Sequence, residues 1–275
     1  MDGLSSVIVP LYVYPSAGAW DPFHDVYDTV PLLLSLLVIL GLTTCTAFRA
    51  SSFPRIHFTV VVNVHNGPGE GALPNAEYTA AIEVLNSLSN VRTIGYVATT
   101  WCTRDLSSVL DDIATFSFWG EYDSSLALSG VFVDETPTQY STDYAVYLDS
   151  IAQAIQDSTG LKDNYIVHNP GALPEPRYFD EALFTGPDLT VVFENSFSNW
   201  TTESGELFKA TGSYDREKLA LLVHSTPNLS ILETASTLLQ LLAVGRGIWL
   251  TGSSNYTELD GVLPAFIEGL DALLR

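Results

Sequence analysis

Basic residues are scarce in this chain. Only 11 lysines and arginines stand against 32 acids over 275 residues, a formal net charge of -21. A polyanion binder needs a basic footprint, so nucleic acid is excluded as a partner. An acidic surface suits a neutral polymer or one carrying free amines, and it also keeps an aromatic-rich surface soluble. Cysteine is nearly missing. Cys45 and Cys102 cannot build a disulfide framework, and neither sits at metal-ligand spacing. His24, His57, His65, His168 and His224 are scattered without an HxH or HxxxH pair, so no metal and no cofactor is expected.

No secretory signal is legible either, because Asp2 precedes a first apolar run that breaks at Pro10. Three glycosylation sequons, at Asn199, Asn228 and Asn255, lean weakly toward an extracellular protein. Charge is absent from Thr29 to Phe48, where Val30–Leu42 is almost wholly apolar. A membrane span needs about 20 mostly apolar residues, which this run reaches only with Thr43–Thr46 included. Such a span would also separate strands that must pair, so none is expected. The stretch at about 29–52 is read as an atypical apolar insert: a hydrophobic helix, or a segment foreign to the mature protein.

Against these absences, 47% hydrophobic and 11% aromatic residues are ample for a large core. Apolar runs alternate with amphipathic segments. The strand candidates are Val7–Tyr14, Phe58–Val64, Thr93–Ala98, Gly130–Asp134, Asn164–Asn169, Leu189–Glu194, Lys218–Ser225 and Gly247–Gly252. They are near-continuous in hydrophobicity, as strands covered on both faces are. Helix candidates are Asn75–Ser89, Asp105–Trp119, Thr142–Ser158, Ser230–Val244 and Leu259–Leu274, with Asn75 as an N-cap and Gly245 at a C-cap. Eight such strands predict an α/β fold, a single (β/α)8 TIM barrel forming one catalytic domain over residues 1–275. An open doubly wound sheet is the runner-up, but no glycine fingerprint follows the first strand.

In such a barrel the site lies at the C-terminal strand ends. Those tips carry Tyr12 and then Trp20; Asn63 and His65; Tyr96 and then Trp101; Asp134-Glu135; His168-Asn169; Glu194; His224; and Trp249, with Tyr256 beyond it. Rings that stack on pyranose faces, with amides and carboxylates that bind hydroxyls, make a sugar site. Asp134 and Glu135 are adjacent on a strand, so their side chains diverge, and the productive carboxylate pair is expected to span the mouth toward Glu194. Arg104 either pairs with Asp105 or holds an active-site carboxylate. An acid at a strand end also serves as a helix cap, and the histidines serve more readily as hydrogen-bonded supports than as catalysts.

Val9–Pro15 with Trp20, Val62-Asn63 with Asn66–Gly69, Gly95–Val97 with Thr99 and Arg104, Phe132–Glu135, Asn169–Gly171 and Phe193-Glu194 together resemble the spherulin-4 (spherulation-specific family 4) proteins. The resemblance runs over nearly the whole chain outside about Thr29–Ser52. It implies a (β/α)8 fold and a secreted endo-acting glycoside hydrolase that cuts α-1,4-linked N-acetylgalactosamine in galactosaminogalactan, with essential acids matching Asp134, Glu135 and Glu194. Tyr12, Trp20, Asn63, His65, Tyr96, Trp101, Arg104, Asn169 and Trp249 are the expected substrate-binding set. A polysaccharide partner such as a cationic amino-sugar polymer, an extracellular or cell-wall location and a monomeric state complete the expectation. A non-catalytic carbohydrate-binding or wall protein on the same barrel is the alternative.

Overall fold

The computed structural model describes residues 6–20, 50–180 and 184–275. Most of the apolar insert, including Val30–Leu42 and Cys45, lies outside the described residues. Eight parallel strands close on themselves in chain order. They are β1 (Ser6–Leu11), β2 (His57–Val62), β3 (Val91–Ala98), β4 (Gly130–Asp134), β5 (Tyr165–Asn169), β6 (Leu189–Ser196), β7 (Leu219–His224) and β8 (Gly247–Leu250). The pairing of β1 with β8, through Ser6 with Gly247 and Val7 with Ile248, completes the ring. This is a single (β/α)8 barrel, and the strand runs are buried on both faces as their continuous hydrophobicity requires.

Around the barrel lie α1 (Ala76–Ser87), α2 (Leu106–Tyr122), α3 (Thr142–Gln156), α4 (Phe197–Thr211), α5 (Ile231–Val244) and α6 (Val262–Leu273). Local chemistry sets their starts. Asn75 accepts from the Tyr78 N–H, Asp105 from Ser107 and Ser141 from Tyr144, while Ser230 and Glu233 form a reciprocal capping box. Gly245 does end α5, but in extended rather than left-handed backbone. Its need for glycine is steric, since a Cβ there would meet the Leu219 carbonyl oxygen at 2.6 Å.

One helix departs from the sequence expectation. α4 was not anticipated because only Trp200 and Thr211 along it are buried, which leaves no apolar period to read. Between β5 and β6 the described chain forms a 3-10 turn, Pro176–Phe179, instead of a full helix. Among the described residues no helix is long and apolar enough to cross a membrane.

Candidate active site

Register partners on parallel strands share a face, so the inner face of the barrel can be followed from strand to strand. Tyr96 on β3 pairs with Phe132 on β4, and their rings stack at 6.2 Å. Gly95, one residue earlier, faces outward, where an added Cβ would meet Phe116 of α2 at 2.7 Å. Tyr96 and Phe132 therefore point at the barrel axis. Asp134, two residues beyond Phe132, points the same way, and its register partner on β5 is Asn169. On β6 the pairing with β7 shifts between Val191 and Phe193. This extra residue turns Phe193 outward onto Trp200 of α4, ring centroids 5.3 Å apart, and turns Glu194 inward.

A single amide joins the two carboxylates. Asn169 Nδ2 donates to Asp134 Oδ1 at 2.7 Å and to Glu194 Oε2 at 2.6 Å. Two oxygens so close to one nitrogen lie no more than about 5.3 Å apart. Asp134 receives two further donors, the Tyr96 hydroxyl on Oδ2 at 2.6 Å and the Glu135 backbone N–H on Oδ1 at 2.8 Å. Burial pushes its carboxyl up from 3.8 to about 6; the Tyr96 bond opposes the shift and the charge of Glu194 adds to it. The phenols facing the pair respond in kind. Burial, then the Asp134 charge, raises both Tyr12 and Tyr96, and burial, then Glu194, raises Tyr256, so all three stay protonated donors.

Glu135 takes a different path from its neighbour. Its φ of 55° is left-handed, which swings its side chain away from that of Asp134 and leaves its carbonyl to accept from Trp101 N at 2.7 Å and Thr99 Oγ1 at 2.8 Å. Thr100, Trp101 and Cys102 are left-handed in succession, at φ 50°, 52° and 61°. Each such residue costs about 1–2 kcal/mol, and surrounding bonds must hold the turn. Arg104 helps to do so: its guanidinium donates to the Ala98 carbonyl and pairs with Asp112 at 2.7 Å, while its own carbonyl accepts from Tyr147. The strained turn leaves Trp101 56% exposed on the rim.

Asp134, Asn169, Glu194, Tyr96 and Tyr12 thus converge, with Tyr12 edge-on to Tyr96 at 5.6 Å. Asn63, the residue after β2, has a buried side-chain oxygen with no partner. Other expected residues stand elsewhere. Trp20 is 1% exposed, wedged against Tyr78 with its indole N–H on the Val13 carbonyl, and is a core residue rather than a stacking surface. Trp249 is 2% exposed and packs edge-on against Phe266 of α6, so it offers no face to a sugar. Arg104 contacts neither Asp105 nor an active-site carboxylate; it braces the β3–α2 turn. His65 is exposed, its backbone N–H bonded to the Gly67 carbonyl. His168 faces away into the shell beside Phe184, where burial pushes its imidazole down to about 3 and keeps it neutral.

Sequence reasoning passed over Tyr256 as a site residue. It follows β8, packs edge-on against Tyr12 at 5.9 Å and lies across from His224. The only signal was an aromatic beyond the eighth strand tip. Among the described residues, no three His, Cys, Asp or Glu side chains converge as a metal site would require.

Comparison with known proteins agrees with the barrel fold. The family model described as spherulation-specific family 4 matches residues 44–270. No curated protein matches the chain. Among solved structures, the crystal structure of Aspergillus clavatus Sph3 in complex with GalNAc is similar at 34% identity and a TM-score of 0.81, covering 98% of both chains. The chain belongs to spherulation-specific family 4.

Proposed function

We propose that the protein is a retaining, endo-acting glycoside hydrolase that cleaves α-1,4-linked N-acetylgalactosamine in a galactosaminogalactan-type polysaccharide. The observation that carries the reading is the Asp134–Asn169–Glu194 bridge on the inner face of the barrel. The shared amide brings one oxygen of each acid within about 5.3 Å of the other, a close approach that supports a retaining pair, whose carboxyl groups lie about 5–5.5 Å apart. The similar Sph3 structure, bound to GalNAc, supports the sugar class.

The roles divide by hydrogen bonding. Asp134 accepts from three donors, which oppose the upward push of burial and leave it ionised above about pH 6, and it serves as the nucleophile at the anomeric carbon. Glu194 accepts from Asn169 and serves as the acid that passes a proton to the departing glycosidic oxygen. The C–O bond to the leaving sugar breaks as the Asp134–sugar ester forms. Glu194, now ionised, then takes a proton from water, and the water oxygen displaces Asp134. Glu135 on the rim binds hydroxyls and contributes negative charge toward the cationic transition state, and Trp101 stacks on a sugar further along the chain.

The test is incubation with galactosaminogalactan, following released oligosaccharides and the anomeric configuration of the first products by NMR. The reading expects oligosaccharides with retained α configuration. Full activity in both Glu194→Gln and Asp134→Asn, or binding without any product, refutes it.

A further inference from the structure

Each of the two carboxylates has its own phenol. Tyr96 donates to Asp134 Oδ2 at 2.6 Å, and the Tyr256 hydroxyl is hydrogen-bonded to Glu194. Tyr12 stands between the two rings, edge-on to Tyr96 at 5.6 Å and to Tyr256 at 5.9 Å. Strand register also puts Tyr256 on the Glu194 side of the mouth. Glu194 pairs with Leu222 and Ser196 with His224, so His224 lies on the face of Glu194, one layer nearer the opening. The Tyr256 ring meets His224 edge-on at 6.4 Å.

The loop after β8 holds this phenol in place against strain. Tyr256 is 8% exposed and has a left-handed φ of 58°, which a tyrosine rarely adopts. The Asn255 side-chain oxygen accepts from Ser253 Oγ at 3.1 Å, Thr257 N at 3.2 Å and Thr257 Oγ1 at 2.7 Å. Asp260 accepts from Ser253 N at 2.8 Å and Val262 N at 2.7 Å. These bonds fix the chain on both sides of the strained residue. Strain kept up in this way marks a side chain whose direction matters.

The direction of the bond follows from charge. Burial, then the Glu194 carboxylate, raises the Tyr256 phenol, so it keeps its proton and donates to the ionised acid. A donor bonded to a carboxylate is stronger than one bonded to a neutral carboxyl, so the contact tightens as the acid loses its proton. Stabilisation that grows along the reaction in this way lowers the barrier.

We propose that Tyr256 is a positioning residue for Glu194: it aims the carboxyl at the glycosidic oxygen and stabilises the charge the acid acquires on giving up its proton. That proton passes from Glu194 to the leaving oxygen, and Tyr256 keeps its own throughout. The role rests on the reading of Glu194 as the acid.

The test has two arms. In the first, wild type and Tyr256→Phe are compared on an N-acetylgalactosamine oligosaccharide and on its nitrophenyl α-glycoside, whose leaving group departs with little help from an acid. Tyr256→Phe is expected to lower kcat on the oligosaccharide about tenfold or more with KM kept, and to lower kcat on the nitrophenyl glycoside far less. A merely structural role would slow both alike. The second arm needs no turnover: with tyrosine labelled at Cζ, NMR follows the Tyr256 hydroxyl proton in wild type and in Glu194→Ala. A low-field signal that exchanges slowly in wild type and is lost or moves upfield in Glu194→Ala is expected. Equal losses on the two substrates, or a hydroxyl signal indifferent to Glu194→Ala, overturns the proposal. If wild type cleaves neither substrate while the signal depends on Glu194, the hydrolase reading fails and the contact between Tyr256 and Glu194 stands.

Discussion

Asp134→Asn should make the protein more stable while removing its activity. Burial lifts the folded pKa of Asp134 from 3.8 to about 6. Between those values the folded protein holds a proton at this site that the unfolded chain has released, so wild-type stability falls as pH rises through that window. At 1.36 kcal/mol per pKa unit the ionised carboxylate costs the fold roughly 3 kcal/mol above pH 6, which solvent entering at the mouth trims to about 2 kcal/mol. Asparagine escapes this cost and still fits. Its oxygen accepts from Glu135 N and Asn169, and its NH2 donates to Tyr96, whose hydroxyl turns to accept. For a chain of this size about 2 kcal/mol corresponds to roughly 4–8 °C in melting temperature. Calorimetric melting of both proteins from pH 4 to pH 8 is the assay. The advantage of Asp134→Asn should be small at pH 4, grow through pH 5 and level off above pH 6. A gap that does not depend on pH, or one that shrinks as pH rises, refutes the reasoning.

The same ionisation should shape catalysis: activity falls as pH drops through about 6 and Asp134 takes up a proton, to be read from a kcat/KM profile on a soluble oligosaccharide. Glu194→Gln should lower kcat by about 10³-fold or more with the fold intact by circular dichroism. Asn169→Ala removes the donor shared by both carboxylates and should cost roughly 10²-fold in kcat, whereas His65→Ala, exposed and outside the bridge, should cost far less. The two tryptophans should separate cleanly. Trp101→Ala raises KM about tenfold with little change in melting temperature, while Trp20→Ala costs about 3–5 kcal/mol of stability as a core cavity.

The barrel was legible because parallel strands covered on both faces must be apolar throughout, and β4 falls on Gly130–Asp134 as its sequence pattern predicts. The carboxylates were legible for a related reason. An acid that closes a buried strand stands out against its apolar run, and barrel topology sends every strand end to one mouth. That rule carries Asp134, Asn169 and Glu194 to the mouth, and strand alternation separates Asp134 from Glu135.

What tertiary structure decided is orientation. No local pattern distinguishes Trp101, lifted onto the rim by a left-handed turn, from Trp20 and Trp249, which fill the interior; exposure depends on what packs against each ring. The inward turn of Glu194 depends on one extra residue in β6, visible only once β7 fixes the register. Arg104 finds Asp112 rather than its sequence neighbour because the helix that follows brings that carboxylate back over the turn. Composition and period name the groups that a strand carries to the mouth. Which of them meet is set by strand register and loop strain, interactions between residues far apart in the chain.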